Sequence, residues 1–458
     1  MGRPLMVCFA IAFIVALIVA LMAAAYGVAY LAEGWFEGGA RLSNILFLML
    51  LFVMVIATLL TVAERKWSAM IQDRIGPNRA RIALPFLRDR ALGGLPHLPA
   101  DVLKMLFKED FKPAGADRLL FNLAPILAFA PSFALFAVVP AGPTVAINGR
   151  QIPMIVASPD FGILFVFAIA SLAVYGTSLA GWSSNSKLAL LGGVRASSQM
   201  ISYEVALGLS LVGMMIVFST VQLPVMTDAQ ARYLWQAATD FDFGLPAWGI
   251  FLQPLGFVLF FAAAFAETKR APFDVPEGES EIIGYFVEYS GMKFGMFMIS
   301  EFVEVVVLSG VTAAIFFGGY HLPVGEQWLS RLPLFEEHPW LFGTLLGSVF
   351  WIKVVLLCWV QLMIRWTFPR FRYDQIQALG WKRLLPVGLA NVFLTGALIL
   401  WDPSLRALAS VGILEIATLL VLTFSRRAPE RQSSLAGGTH SSSAHGALPQ
   451  PAPSAGQR

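Results

Sequence analysis

Long runs of apolar residues, separated by short polar segments, dominate the chain. Ten of these runs meet or approach the roughly 20 residues that an α-helix needs to cross a hydrocarbon core about 30 Å thick. They cover residues 5–31, 45–63, 119–139, 161–182, 203–221, 248–266, 296–318, 341–366, 384–401 and 405–424. The first has a single basic residue before it, Arg3, and its 27 residues are long for the core of a cleaved leader, so it reads as a span. Residues 100–110 follow another pattern. There Val102, Leu103, Leu106 and Phe107 make an apolar stripe against Lys104 and Lys108, as in a helix lying at the membrane surface. The pattern predicts an all-α, polytopic membrane helix bundle of about ten spans with one amphipathic interfacial helix. Residues 140–160 and 222–247 hold turn formers and isolated charges and read as plain connectors. From residue 426 the chain turns to Ser, Ala, Gly, Pro and Gln, with His440 and His445, a composition that predicts a disordered tail.

Composition agrees: 57% of the 458 residues are hydrophobic and 13% charged, against about 25% charged in soluble domains. Cys8 and Cys358 both fall in apolar runs, which excludes a disulfide framework or a thiolate metal cluster. The net charge of +3 matters less than its distribution. With ten spans, 25 of the 32 Lys and Arg residues fall on the side of both termini. Only Arg41, Arg150, Arg232, Arg331 and Arg406 fall on the other side, while Lys353 and Arg365 lie within a span. The bias of basic residues toward the cytoplasm predicts that both termini are cytoplasmic. None of the five histidines falls in a span, so no imidazole is offered to haem or copper, and there is no Walker loop, G-x-G-x-x-G or C-x-x-C. No metal ligand set is expected, and any hydride or electron-carrying chemistry belongs to other polypeptides.

What remains is a set of carboxylates. An ionisable group inside hydrocarbon costs at least about 2.5–3.5 kcal/mol, which makes it a functional candidate. Glu301 and Glu304 share one helical face. Counted from Lys293 they lie about 12 and 17 Å into the membrane. Lys353 falls at a comparable depth in its own span, so the expectation is either a buried charged triad or a structural ion pair. Glu204 is expected at the cytoplasmic start of its span, where the helix dipole favours a carboxylate. Glu415 stands in mid-span with no basic neighbour in sequence. The densest acidic cluster is Glu267, Asp274, Glu277, Glu279, Glu281 and Glu288, against only Lys269, Arg270 and Lys293. Crowded carboxyls raise one another's pKa, and Phe273 and Tyr285 among them predict a partly buried funnel rather than a solvated loop.

Seven motifs carry a resemblance. They are Ala63-Glu-Arg-Lys66, Asp73-Arg-Ile-Gly-Pro-Asn78, Gly181-Trp-Ser-Ser-Asn-Ser-Lys187, Arg195-Ala-Ser-Ser-Gln199 with Ser202-Tyr-Glu204, Pro272-Phe-Asp with Pro276-Glu, Glu288-Tyr-Ser-Gly-Met-Lys-Phe294, and Arg372-Tyr-Asp-Gln375 with Gly380-Trp-Lys382. In this order they resemble the H-type membrane subunit of the proton-pumping NADH:quinone oxidoreductase, respiratory complex I. The resemblance implies a non-redox-centre membrane subunit at the junction with the peripheral arm, not catalytic alone. Quinone would be its substrate, membrane lipid and the other complex subunits its partners, and FMN and iron–sulfur clusters would sit on those subunits. No nucleic acid is involved. Arg74, Arg270 and Asp274 would belong to the quinone chamber, and Glu204, Glu267, Glu277, Glu279, Glu281, Glu288 and Glu301 to an acidic path inward, with Glu304 and Lys353 as the deeper charges.

The family core has eight spans, so residues 1–40 and 403–425 are expected to be added helices around a core at 41–402, with the tail at 426–458. Between Glu281 and Glu288 the chain is one residue shorter than the family pattern, and Leu188 and Ala189 replace an expected aromatic. The alternatives are the related membrane subunit of an energy-converting hydrogenase and a stand-alone cation/proton antiporter, the latter disfavoured by the lack of internal repeats.

Overall fold

The computed structural model describes residues 3–80, 94–236, 244–278 and 283–425; for residues 3–11 and 424 only the backbone is described. Glu279, Glu281 and the expected tail from 426 lie outside the described residues. The principal helices are α1 (Arg3–Trp35), α2 (Gly39–Ile71), α3 (His97–Phe107), α4 (Arg118–Val138), α5 (Gly162–Ser183), α6 (Lys187–Phe218), α7 (Pro254–Glu267), α8 (Gly291–Phe316), α9 (Pro339–Thr367), α10 (Tyr373–Trp401) and α11 (Arg406–Ser425). Residues through Glu415 form one compact unit, and the described residues beyond it complete α11.

The protein is an all-α polytopic membrane bundle. Among the described residues nine helices are long and apolar enough to cross a membrane; α7, with 14 residues, is shorter. The continuous span expected at 248–266 is instead a broken helix: a single turn at Gly249–Leu252, a break at Gln253 (φ −142°, ψ 66°), then α7. Pro254 explains the break. It lacks an amide hydrogen and its ring drives the preceding residue out of helical geometry.

The second correction concerns α6. It begins at Lys187, not near residue 203, and so runs for 32 residues. Gly192 and Gly193 do not interrupt it, because they are contact points: a Cβ on Gly193 would stand 3.2 Å from the Gly181 Cα of α5. Glu204 therefore lies in mid-helix, and the dipole argument for it does not hold. The third correction concerns the connectors. Residues Gly142–Ile147 (β1) and Arg150–Met154 (β2) pair antiparallel across Asn148-Gly149, both at positive φ, and Tyr233–Gln236 (β3) pairs with Gly244–Pro246 (β4). Asn-Gly between alternating apolar residues is a strong hairpin signal, and it turns the first connector into paired strands.

The hairpins mark one face of the bundle. The opposite, basic face carries the described residues 72–80, 94–117, 268–278 and 283–290. At its centre stands α8, in which every residue from Ser300 to Phe316 is buried. The interfacial helix forms as expected in α3, with Val102, Leu103, Leu106 and Phe107 exposed. It is tied to the start of α8: Lys293 pairs with Asp110 at 2.7 Å, and Ser290 Oγ donates to the Glu109 carbonyl at 2.8 Å.

Candidate functional site

The segment after α7 folds back against the bundle, where α6 holds it. Gln199, fully buried on α6, donates from Nε2 to the carbonyls of Ala266 (2.8 Å) and Phe273 (2.9 Å). Buried carbonyls need such partners. The clamp fixes both ends of the Glu267–Asp274 turn and drives Lys269 and Arg270 inward, where both are buried despite their charge.

Arg270 is the hub. Its Nη1 contacts Glu64 Oε2 at 2.7 Å, its Nη2 lies 3.6 Å from Glu301 Oε2, and its guanidinium covers the Phe302 ring at 3.8 Å. Arg365 of α9 completes the network from the other side, 2.5 Å from Glu64 Oε1. Four elements (α2, the turn after α7, α8 and α9) thus meet in one charge cluster. Arg270 suits this place: a planar guanidinium can serve two carboxylates and an aromatic face together.

Deeper in, Lys269 Nζ lies 3.8 Å from Glu304 Oε2. Burial opposes the ammonium, but Glu304, Glu301 and Glu277 around it raise its pKa, so it stays charged. Glu267 is buried among the charges of Glu304, Lys269 and Glu204. Glu204 accepts a hydrogen bond from Ser171 of α5. On the outer side Glu277 has its pKa pushed well up, first by burial and then by the Glu301 charge. Burial and the same Glu301 charge push the Tyr285 hydroxyl up. Asp274 pairs with Arg370 at 2.7 Å, yet burial outweighs that pairing and raises its carboxyl to about 6. Glu267 Oε2, Arg270 Nε, Asp274 Oδ1, Glu277 Oε1 and Glu301 Oε1 are buried without a hydrogen-bond partner among the described residues.

A cavity of about 680 Å³ opens onto this cluster, and Arg74, Arg270, Glu277 and Glu301 all line it. Arg74 itself is exposed, and its Nε donates to Gln72 at 2.6 Å. Of the site residues expected from sequence, Arg270, Asp274, Glu204, Glu267, Glu277, Glu301 and Glu304 gather here. Glu288 lies half-buried in the turn before α8.

Lys353 does not join them, and the expected triad with Glu301 and Glu304 is not formed. Its Nζ donates to the carbonyls of Phe317 (2.7 Å), Gly319 (2.8 Å) and His321 (2.6 Å) and lies over the Trp248 ring. The carbonyls that end a helix carry partial negative charge and lack intrahelical donors, so they attract a buried ammonium. Three residues of the cluster received no role from sequence: Glu64, Lys269 and Arg365. The depth criterion could have found Glu64 and Arg365, which stand at the edges of predicted spans, but only the fold puts Glu64 between Arg270 and Arg365.

A sequence profile of the NADH dehydrogenase family matches residues 43–396. The chain belongs to that family. It is 40% identical over 368 residues to an H-type subunit of NADH-quinone oxidoreductase from Syntrophobacter fumaroxidans, covering 80% of this chain and 98% of the relative. The H-type subunit from Cytophaga hutchinsonii is 41% identical, covering 76% of this chain and 93% of that one. Its counterpart from Geobacter metallireducens is 42% identical over the same shares. All seven motif groups lie inside the stretch matched by the family, as does the whole charge cluster, whereas α1 and α11 lie outside it.

Proposed function

We propose that this chain is the membrane subunit of a proton-translocating NADH:quinone oxidoreductase that helps form the quinone chamber and couples quinone reduction to proton movement. The observation that carries this reading is the continuity between the cavity and the buried carboxyls. About 680 Å³ lies within the 300–1,000 Å³ range of small-molecule sites. Its polar wall is Arg270 with Glu277 and Glu301, and Glu304, Lys269, Glu267 and Glu204 continue inward from there.

The chemistry follows from that arrangement. Reduction of a quinone to a quinol takes two electrons and two protons. The electrons come from iron–sulfur and flavin centres on the peripheral-arm subunits, and the protons from acids near the head group. A carboxyl whose pKa is pushed up by burial and the Glu301 charge, as in Glu277, holds its proton more tightly than an ordinary carboxyl and is a candidate donor. Each proton given up leaves a negative charge beside Arg270 and Lys269, and this charge shifts the proton affinity of the next carboxyl inward. Both termini face the cytoplasm of a bacterium, where the basic face meets the peripheral arm and α3 rests on lipid.

A photoactivatable quinone analogue tests the site in intact membranes. It should label this chain at the cavity wall, and Arg74→Ala should weaken labelling severalfold. Labelling confined to other subunits overturns the reading.

A further inference from the structure

Glu415 is the one acidic residue of α11, about 14 Å along the helix from Arg406. It points at the break that Pro254 makes. The Leu255 amide, in the first turn of α7, is cut off from the preceding turn by the break at Gln253, and it donates to Glu415 Oε2 at 3.4 Å. Gly412, one turn before Glu415, lets the two helices come together: a Cβ there would overlap the Phe251 carbonyl oxygen and stand 3.2 Å from Pro254 Cδ. Leu405, Leu408 and Ala409 bury the same face of α11 against Leu252, Val217 and Leu234. The break is also gripped from α10, where buried Gln253 donates to Thr395.

We infer that Gly412 and Glu415 form an intramembrane cap for the broken helix: α11, outside the family match, sets the start of α7 and thereby the place of Glu267 at its end. Gly412 supplies the approach and Glu415 the acceptor. Between its two anchors, the cap at Leu255 and the Gln199 clamp at Ala266, α7 is a rigid rod of 14 residues, so its start fixes its end. Glu415 acts through Glu267 as a positioning residue. The cap itself is a matter of backbone geometry; only its effect on turnover rests on the coupling role proposed above.

The role needs an acceptor oxygen and not a titrating proton, so two variants separate the readings. In the assembled complex in lipid nanodiscs, Glu415→Leu should speed hydrogen exchange of the peptide spanning residues 249–258 by roughly fivefold, the usual scale of a lost cap. It should also lower kcat of quinone reduction while leaving KM unchanged. Glu415→Gln, which keeps an acceptor, should restore both. Unchanged exchange in Glu415→Leu overturns the cap. Faster exchange with normal kcat overturns the positioning role. A Glu415→Gln variant as impaired as Glu415→Leu overturns the acceptor role in favour of a charge requirement. The exchange measurement does not involve quinone, so the cap stands or falls independently if the quinone chamber is elsewhere.

Discussion

Arg270 carries more of the site than any other single residue. Removing it leaves Glu301 with an unbalanced buried charge and leaves Glu64 only its pairing with Arg365 among the described residues. Breaking a buried ion pair by deleting one partner costs about 3–5 kcal/mol. Arg270→Met should therefore reduce both assembly and quinone reductase activity. Arg270→Lys should recover part of the assembly but little activity, because a point charge cannot serve two carboxylates and the Phe302 face together; immunoblots of membranes and activity per assembled complex check this. Asp274 gives a pH prediction. Its folded pKa of about 6 lies above the ordinary 3.8. The stability it contributes is thus fully present below about pH 3.8 and is lost as pH rises through about 6. Relative to Asp274→Asn, the unmodified complex should lose thermal stability as pH is raised from about 5 to about 7, which inactivation temperatures across that range will show. At this scale sequence was informative where one helix sets the geometry: Glu301 and Glu304 share a face by spacing alone. It failed for Lys353, because depth in a span says nothing of which neighbour the side chain meets.

Among the elements, α6 and α9 do distinct work. Gln199 on α6 supplies both donors that pin the turn after α7. Gln199→Leu would leave the buried Phe273 carbonyl unpaired, at about 1–3 kcal/mol, and Ala266 with backbone donation from the Lys269 amide, so the complex should inactivate at a lower temperature and lose quinone turnover together. Lys353 on α9 closes the end of α8, not the carboxylate chain. Lys353→Gln should lower thermal stability while leaving the ratio of protons moved to electrons transferred unchanged, and a changed ratio would return Lys353 to the pathway. Nearly all helices were legible from the length and apolarity of their runs. The exceptions have physical causes. Pro254 breaks α7, polar residues with buried partners carry α6 sixteen residues past its apolar stretch, and the Asn148-Gly149 turn builds a hairpin in a segment short enough to pass for a loop.

For the molecule as a whole, its scarce charge is spent on orientation and on the site. Basic residues crowd one face, and the buried acids line up from the cavity on that face toward the centre of the bundle. The grouping of Glu267, Asp274 and Glu277 was legible because they lie close together in sequence. The closure by Glu64 and Arg365 was not, because these lie about 200 and 95 residues away and join Arg270, Glu64 directly and Arg365 through Glu64, only when α2 and α9 pack beside α8. The most direct test of the coupling role is Glu301→Gln, which keeps the side chain's size and hydrogen-bonding capacity but removes its exchangeable charge. In membrane vesicles, quinone-dependent NADH oxidation and the accompanying proton uptake should fall about a hundredfold or more, the scale of a lost proton-transfer group, while NADH oxidation by a water-soluble artificial acceptor stays normal. Unchanged quinone turnover and proton uptake in Glu301→Gln would contradict the role given to this carboxylate chain.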